Sequence, residues 1–324
     1  MILAGDIGGT KTWLALFNDV KKREIVKHAK FSSQKYPSLE EIIQEFLQDE
    51  KIVPSHACFG VAGPVNNNIS KVTNLPWTID AEKIQTSLKI PRVFLINDLE
   101  ANAWGIRCLK EDELYVISEG KEGMQGNQGL ISAGTGLGEA GLYYNGKEHI
   151  PFASEGGHCN FAPVDEEEIE IFRYFHKMYG HVSYERLLCG KGLINLYNFY
   201  LEVKKERELP ELKEKMKGDD PAKLIHEYAI SKKCNACVLA TNKFLSIYGA
   251  ETGNVALKFL TLGGMYIGGG IAPKMIEMIK EGQFFRSFID KGRFDKLLST
   301  VRLQVILNPH TALLGAGSYV EHHT

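Results

Sequence analysis

Asp6-Ile7-Gly8-Gly9-Thr10-Lys11 sets one carboxylate, two glycines and two side-chain donors on a single bend. Glycines let backbone N–H groups approach phosphate oxygens without a side-chain clash. Asp6 can hold Mg²⁺ through water, because that ion tends to keep several of its waters. A hairpin that merely needs glycine accounts for the same residues. The bend is neither a GxxxxGK[ST] loop nor a GxGxxG dinucleotide fingerprint. Gly134-Thr135-Gly136-Leu137-Gly138 repeats its Gly-Thr chemistry further along the chain, and the two bends together point to phosphate more strongly than either alone. Gly268-Gly269-Gly270 makes a third bend after the apolar Met265-Tyr266-Ile267, where close strand–helix packing is the alternative.

Asn97-Asp98 closes the apolar run 93–96. Ligands of α/β sheets bind beyond the carboxyl ends of strands, which suits a catalytic acid at this position. Asn97 with Glu100 three residues on also reads as a helix cap. Glu155-Gly156-Gly157-His158 puts a carboxylate and an imidazole on one glycine-bent loop, and a polyol needs such donors and acceptors at fixed positions. A surface loop with an incidental histidine is the alternative. A zinc site would need more Cys or His than the single nearby Cys159. Glu185 falls in the first turn of a helix starting at Ser183, where the helix dipole alone favours an acid.

The elements that must position these residues alternate between strands and helices. Apolar runs at 2–4 and 12–17 flank the first bend as a β-hairpin, and 129–133 with 140–144 repeat that design. Two such units suggest a duplicated fold, with two unrelated hairpins as the alternative. Ser38 and Glu41 form a capping box ahead of a helical face of Leu39, Ile42, Ile43, Phe46 and Leu47. Residues 57–62 and 93–96 read as buried strands flanked by helices. Residues 165–242 are largely helical, with one helix running from Ser183 through Leu187, Leu188, Leu193 and Leu196, interrupted by glycines. A strand spans 301–307, and a final helix begins at Thr311, whose small residues can pack closely on another helix. The terminal His322-His323 is expected to fray.

Hydrophobic residues at 44% and charged residues at 24% fit a soluble globular enzyme. A net charge of −2 provides neither a basic field for nucleic acid nor a polybasic patch for a membrane. No apolar run approaches the roughly 18 residues of a membrane span, and the first residues meet Asp6 with no basic region, unlike a signal peptide. Six scattered cysteines read as reduced cytosolic thiols, with Cys234 and Cys237 a fortuitous helical pair.

From Gly5 to about Tyr319 the sequence resembles the bacterial glucokinases of the hexokinase, Hsp70 and actin superfamily, through five blocks in the family's order. Asp6 to Thr10 is similar to the first phosphate motif and Leu95-Ile96-Asn97-Asp98 to the first connecting segment. The stretch 132–138 is similar to the second phosphate motif. Gly268-Gly269-Gly270-Ile271 with Pro273 is similar to the adenosine motif, and Leu313-Leu314-Gly315-Ala316-Gly317 to the second connecting segment. Glu155 to His158 with Phe161-Ala162-Pro163, the stretch 180–186 and the stretch 290–294 resemble the glucokinases in particular. Cys159-Asn160-Phe161-Ala162-Pro163 departs from the Cys-rich zinc motif of the repressor-and-kinase branch, so no structural zinc is implied. A helix-turn-helix ahead of the kinase is absent too, which argues against a DNA-binding repressor.

The resemblance implies a two-domain α/β fold of the actin-like, ribonuclease H-like ATPase type with a central cleft. The smaller domain would take residues 1–108 completed by 303–324, and the larger 109–302. It implies ATP-dependent, Mg²⁺-requiring phosphorylation of the glucose 6-hydroxyl in the cytoplasm, by an enzyme that often forms homodimers. Asn97, Asp98, Glu155, His158 and Glu185 would bind the sugar, with Asp98 as general base. Asp6, Ile7, Gly8, Gly9, Thr10, Lys11, Gly134, Thr135, Gly136, Gly269 and Gly270 would bind the nucleotide, with Asp6 near Mg²⁺. Two alternatives stay open: a kinase for mannose, fructose or an amino sugar, and an ATP-driven protein of the actin or Hsp70 type. The second would keep both Gly-Thr bends but has no use for the polyol-binding set.

Overall fold

The computed structural model describes residues 1–48, 53–72 and 74–324. They cluster into two units, one of Met1–Glu113, Ile150–Ala153 and Asn308–Thr324, the other of Leu114–His149 and Ser154–Leu307.

The first unit opens with β1 (Ile2–Ile7), β2 (Lys11–Asp19), β3 (Glu24–Ser32) and β4 (His56–Val61). The short β5 (Val65–Asn66), β6 (Ile69–Lys71) and β7 (Thr78–Asp80) form a small sheet of their own, and β8 (Arg92–Asn97) follows. The main sheet runs β3-β2-β1-β4-β8, with β1 antiparallel to β2 and parallel to β4, and β4 parallel to β8. Strand side chains alternate between faces, and here both faces are covered. Leu3, Ile7, Leu14 and Phe59 join one core with Ile42, Phe46 and Ile84 of the helices Leu39–Leu47 and Ala81–Leu88. Ala4, Ala15, Phe17 and Cys58 join another with Trp104 and Leu313 of the helices Asp98–Ile106 and Thr311–His323. Burial on both faces is why these strands read as continuous apolar runs instead of a polar–apolar alternation.

The helices Asp98–Ile106 and Thr311–His323 approach closely because small residues line their contact. A Cβ on Gly315 would overlap the Ala101 carbonyl oxygen. The terminal histidines, expected to fray, continue this last helix. His323 stacks on Tyr319 with ring centroids 4.0 Å apart, and both terminal rings lie against Trp104, so aromatic packing holds the end in place.

The second unit repeats the plan. It contains β9 (Leu114–Ser118), β10 (Gln128–Ala133), β11 (Leu137–Tyr144), the ends of β12 (His149–Ser154), β13 (Gly264–Gly268) and β14 (Leu303–Ile306). Five of these run β11-β10-β13-β14-β9, and β10 pairs antiparallel with β11 and parallel with β13, as β1 does with β2 and β4. The strand Leu303–Ile306, placed by the sequence in the smaller domain, is hydrogen-bonded between β13 and β9. All four of its residues are buried, so it needs a partner on each edge. The helix expected from Ser183 is two helices, Tyr184–Leu187 and Gly190–Glu202. Cys189 breaks it, its Sγ accepting from Gly192 N at 3.3 Å. The long helix Asn235–Phe259 carries Phe244, Leu245 and Tyr248 into the core of this unit. Cys234 and Cys237 are buried free thiols at its start.

Gly315→Val is expected to separate the Thr311–His323 helix from Ala101 and to cost roughly 1–3 kcal/mol or more, as overpacking does. Urea unfolding should show a lower midpoint, and an unchanged midpoint would mean that the contact is slack.

Candidate active site

In the first unit the bend between β1 and β2 is tightly held. Gly8 N–H donates to Lys11 O at 2.9 Å, and Ser33 N–H donates to Thr10 O at 3.1 Å. The Ser33 hydroxyl donates to Gly8 O at 2.8 Å and lies 3.0 Å from the Thr12 hydroxyl. Ser33 stands outside every sequence motif, because only the β2–β3 pairing brings it to the bend. Thr10 and Lys11 remain exposed at the tip.

Asn97 performs the capping role that its spacing allowed. Its Oδ1 accepts from Leu99 N at 2.9 Å while its Nδ2 donates to Gly63 O at 3.2 Å. Asp98 therefore sits in the first turn of a fixed helix, where the helix dipole favours a carboxylate. Asp6 lies two strands away in register, opposite Gly60 of β4, which in turn is opposite Ile96 of β8. Burial first, and then the charge of Asp98, pushes the Asp6 carboxyl up to about 6. Two carboxyls in this relation favour a shared cation. The hard oxygen donors fit Mg²⁺, which takes one or two carboxylates and fills its remaining positions with water and phosphate. Among the described residues no group of three or more His, Cys, Asp or Glu side chains could hold a metal ion.

In the second unit the sugar-type residues converge. His158 lies between two carboxylates, its Nε2 3.9 Å from Glu155 Oε2 and its Nδ1 3.8 Å from Glu185 Oε1. Glu185 also accepts from Leu137 N at 3.1 Å, which links the imidazole to the end of the Gly134-Thr135-Gly136 bend. That bend is closed by Gly134 N–H donating to Gly136 O at 2.8 Å, and Gly190 N–H donates to Gly134 O at 3.1 Å. Gly269, at φ +81, lies against the Ala133 carbonyl, where any Cβ would overlap. The bends at 134–136 and 269–270 thus share the carboxyl edge of the adjacent parallel strands β10 and β13. This is where ligands of α/β sheets bind. Glu155 and His158 are exposed and Glu185 is half-buried, so the three offer hydrogen bonds outward.

Each sequence-selected residue therefore lies at a strand end or helix start, in one of two groups. Asp6, the first bend, Asn97 and Asp98 belong to the first unit. Glu155, His158, Glu185 and the other two bends belong to the second. Sequence reasoning passed over Ser33, Gly63 and Glu139. Nothing local singles out the first two, while Glu139 looks like an ordinary polar position on a strand.

Duplicated α/β units with paired Gly-Thr bends define the two-domain, actin-like class of sugar kinases. The glucokinase family matches residues 3–323. A glucokinase of Nostoc punctiforme is 37% identical, with 98% of this chain and 97% of that one covered. The crystal structure of a glucokinase from an Antarctic psychrotroph is 28% identical with a TM-score of 0.86, covering 99% of this chain and 98% of that one. A ROK family glucokinase from Streptomyces griseus, in complex with glucose and AMPPNP, shares the fold at 19% identity and a TM-score of 0.65, with 98% of each chain covered. The chain belongs to the glucokinase family, enzymes whose reaction is the ATP-dependent phosphorylation of glucose. Among the described residues no helix is long and apolar enough to cross a membrane.

Ser33→Ala removes the hydroxyl that pins the first bend and leaves a hydrogen bond to Gly8 O unmade, a loss of about 1–3 kcal/mol. The KM for ATP is expected to rise more than the KM for glucose. Equal changes in both would show a general loss of structure instead of a loosened bend.

Proposed function

We propose that this enzyme phosphorylates the 6-hydroxyl of glucose with Asp98 as general base. The observation that carries this reading is the placement of Asp98, held by the Asn97 cap in a helix first turn and close enough to Asp6 to raise its carboxyl. Asp98 accepts the hydroxyl proton as the oxygen attacks the γ-phosphorus. A new O–P bond forms, the bond to the β-phosphate oxygen breaks, and ADP leaves. Such transfer depends mainly on positioning and charge stabilisation, which a fixed carboxylate suits.

Asn97, Glu155, His158 and Glu185 are the proposed sugar ligands. The two carboxylates flanking His158 offer the acceptors that sugar hydroxyls need. The backbone of the bend at Ile7, Gly8, Gly9, Thr10 and Lys11, and that of Gly134, Thr135 and Gly136, are the phosphate-binding segments. Gly269 and Gly270 are the adenosine segment. Mg²⁺ would be held beside Asp6 through water and, when bound, would neutralise charge on the phosphate oxygens. The cytoplasm is the proposed location, in keeping with the free cysteines. The relative from Streptomyces griseus, solved with glucose and AMPPNP, supports the pairing of sugar and nucleotide.

Asp98→Asn is expected to lower kcat at least ~10²-fold while glucose binding changes far less. Near-normal turnover would remove Asp98 from the chemistry. Glu155→Ala and His158→Ala should each raise the glucose KM by about 5- to 150-fold, the equivalent of 1–3 kcal/mol, with a smaller effect on ATP. If both leave it unchanged, the loop is only structural. A hexose panel run in the same coupled ADP assay separates glucose from its epimers. Asp6→Asn should raise the Mg²⁺ concentration for half-maximal rate by about 10- to 100-fold, as loss of an outer ligand partner does. An unaltered Mg²⁺ requirement would remove Asp6 from the metal site.

A further inference from the structure

Behind the exposed face of the sugar loop lies a buried group of charges that the proposed chemistry does not use. Glu139, on β11, is 1% exposed, and Glu251, on the Asn235–Phe259 helix, is fully buried. Only one of the two has a cation to itself. Glu251 Oε1 lies 3.1 Å from Lys258 Nζ, and its Oε2 accepts from Asn254 Nδ2 at 2.7 Å. Asn254 Nδ2 also lies 3.1 Å from the hydroxyl of Tyr184, the neighbour of Glu185. Among the described residues, Glu139 Oε1 is buried with no hydrogen-bond partner. A buried carboxylate without donors is costly, whereas the neutral acid can donate to Glu251.

Glu139 is also built into the loop. Its carbonyl accepts from the Ser154 hydroxyl at 2.9 Å, and that same hydroxyl accepts from Gly156 N at 3.2 Å. Its carboxyl lies directly against Gly156, where a Cβ would overlap Oε2. The next residue, Gly157, is pressed against the Leu137 carbonyl in the same way. The turn that carries Glu155 and His158 therefore rests on this side chain and on the Leu137 carbonyl.

We propose that Glu139 is a positioning residue for glucose: its neutral carboxyl, wedged between Glu251 and Gly156, sets the 155–158 turn at the height from which Glu155 and His158 meet the sugar. The inference rests on the sugar-binding role of that turn given above. Burial first, then the charge of Glu251, pushes the Glu139 carboxyl up to about 8, with Lys258 opposing. When it ionises, two carboxylates oppose each other while Lys258 is paired with Glu251, and the side chain beneath Gly156 is driven away. Other charged or titratable groups around the cluster include Tyr248 on the long helix, Tyr184, Lys291 and Cys159, with Glu168 acting on Tyr184 and Lys291.

The test compares wild type, Glu139→Gln and Glu139→Ala in steady-state kinetics from pH 6 to 9.5. Glu139→Gln keeps the shape and a neutral donor, so its glucose KM should match wild type at pH 6–7. It should also lack the alkaline rise in KM that wild type shows through about pH 8. Taking the difference between the two proteins cancels the titrating groups that do not interact with Glu139. Glu139→Ala should raise the glucose KM about tenfold at all pH values with kcat changed far less, the loss of one positioning contact. Thermal unfolding gives a second readout. The folded state keeps a proton that the unfolded chain releases near the ordinary value of 4.5, so wild-type stability falls relative to Glu139→Gln between about pH 4.5 and 8. A wild-type KM profile in both variants, or a melting difference that ignores pH, overturns the proposal. His158→Ala, run alongside, separates the two readings. If it raises KM while the Glu139 variants do not, only this inference fails; if it too leaves KM unchanged, the sugar-site reading falls with it.

Discussion

β1 and β10 are hydrogen-bonded to a neighbour on each edge, and their side chains are buried on both faces of their sheets. Their backbone groups are consumed by the ladder, so they reach a ligand only where the strands end. The rest of the arrangement follows from that constraint. Each central strand turns at once into a glycine-rich bend, at Gly8-Gly9-Thr10 and at Gly134-Thr135-Gly136, which frees N–H groups at the carboxyl edge. The parallel strands β8, two places from β1, and β13, beside β10, end at the same edge of their own sheets. They deliver a capped helix start with Asp98 in one unit and the Gly269-Gly270 bend in the other.

What could be read from the sequence was what is local. Ser38 and Asn97 cap their helices at the positions that spacing gave, since a cap involves residues two or three apart. The two hairpins were legible because each is a strand, a bend and a strand in direct succession. The small residues at 311–317 announced a close helix contact before its partner was known. The illegible parts are those in which distant residues decide. Whether Leu303–Ile306 pairs with one sheet or the other is settled by Met265 and Ile267 of β13, not by its own composition. The break between Leu187 and Gly190 depends on a cysteine acting as a cap, a role that its type does not advertise. His322 and His323 gain order from Trp104 and Tyr319, and Trp104 lies far away in sequence.

The candidate site was legible for a similar reason, and its supports were not. Asp98, Glu155 and His158 stand beside glycines or at strand ends, which marks them locally. Ser33, just past the end of β3, and Glu139, on β11, are brought into place by strand pairing, and each looks like an ordinary polar residue at its own position.

Two acid pairs show how burial decides the fate of a shared charge. Asp6 faces Asp98, and Glu139 faces Glu251; in each pair burial and the partner's charge raise one carboxyl. Asp6, though mostly buried, keeps part of its surface in solvent at a strand end beside a bend of exposed donors, so a hydrated cation can answer its charge. Glu139 is sealed beneath Gly156, and Lys258, a cation whose charge reaches it, is already bound to Glu251. There the cheapest counter-charge is a proton, the one cation small enough to enter a packed interior. On the proposed reading, the same electrostatic conflict serves phosphate at an open pair and holds a loop at a closed one. What distinguishes them is whether water, and with it a metal ion, can reach the carboxyls.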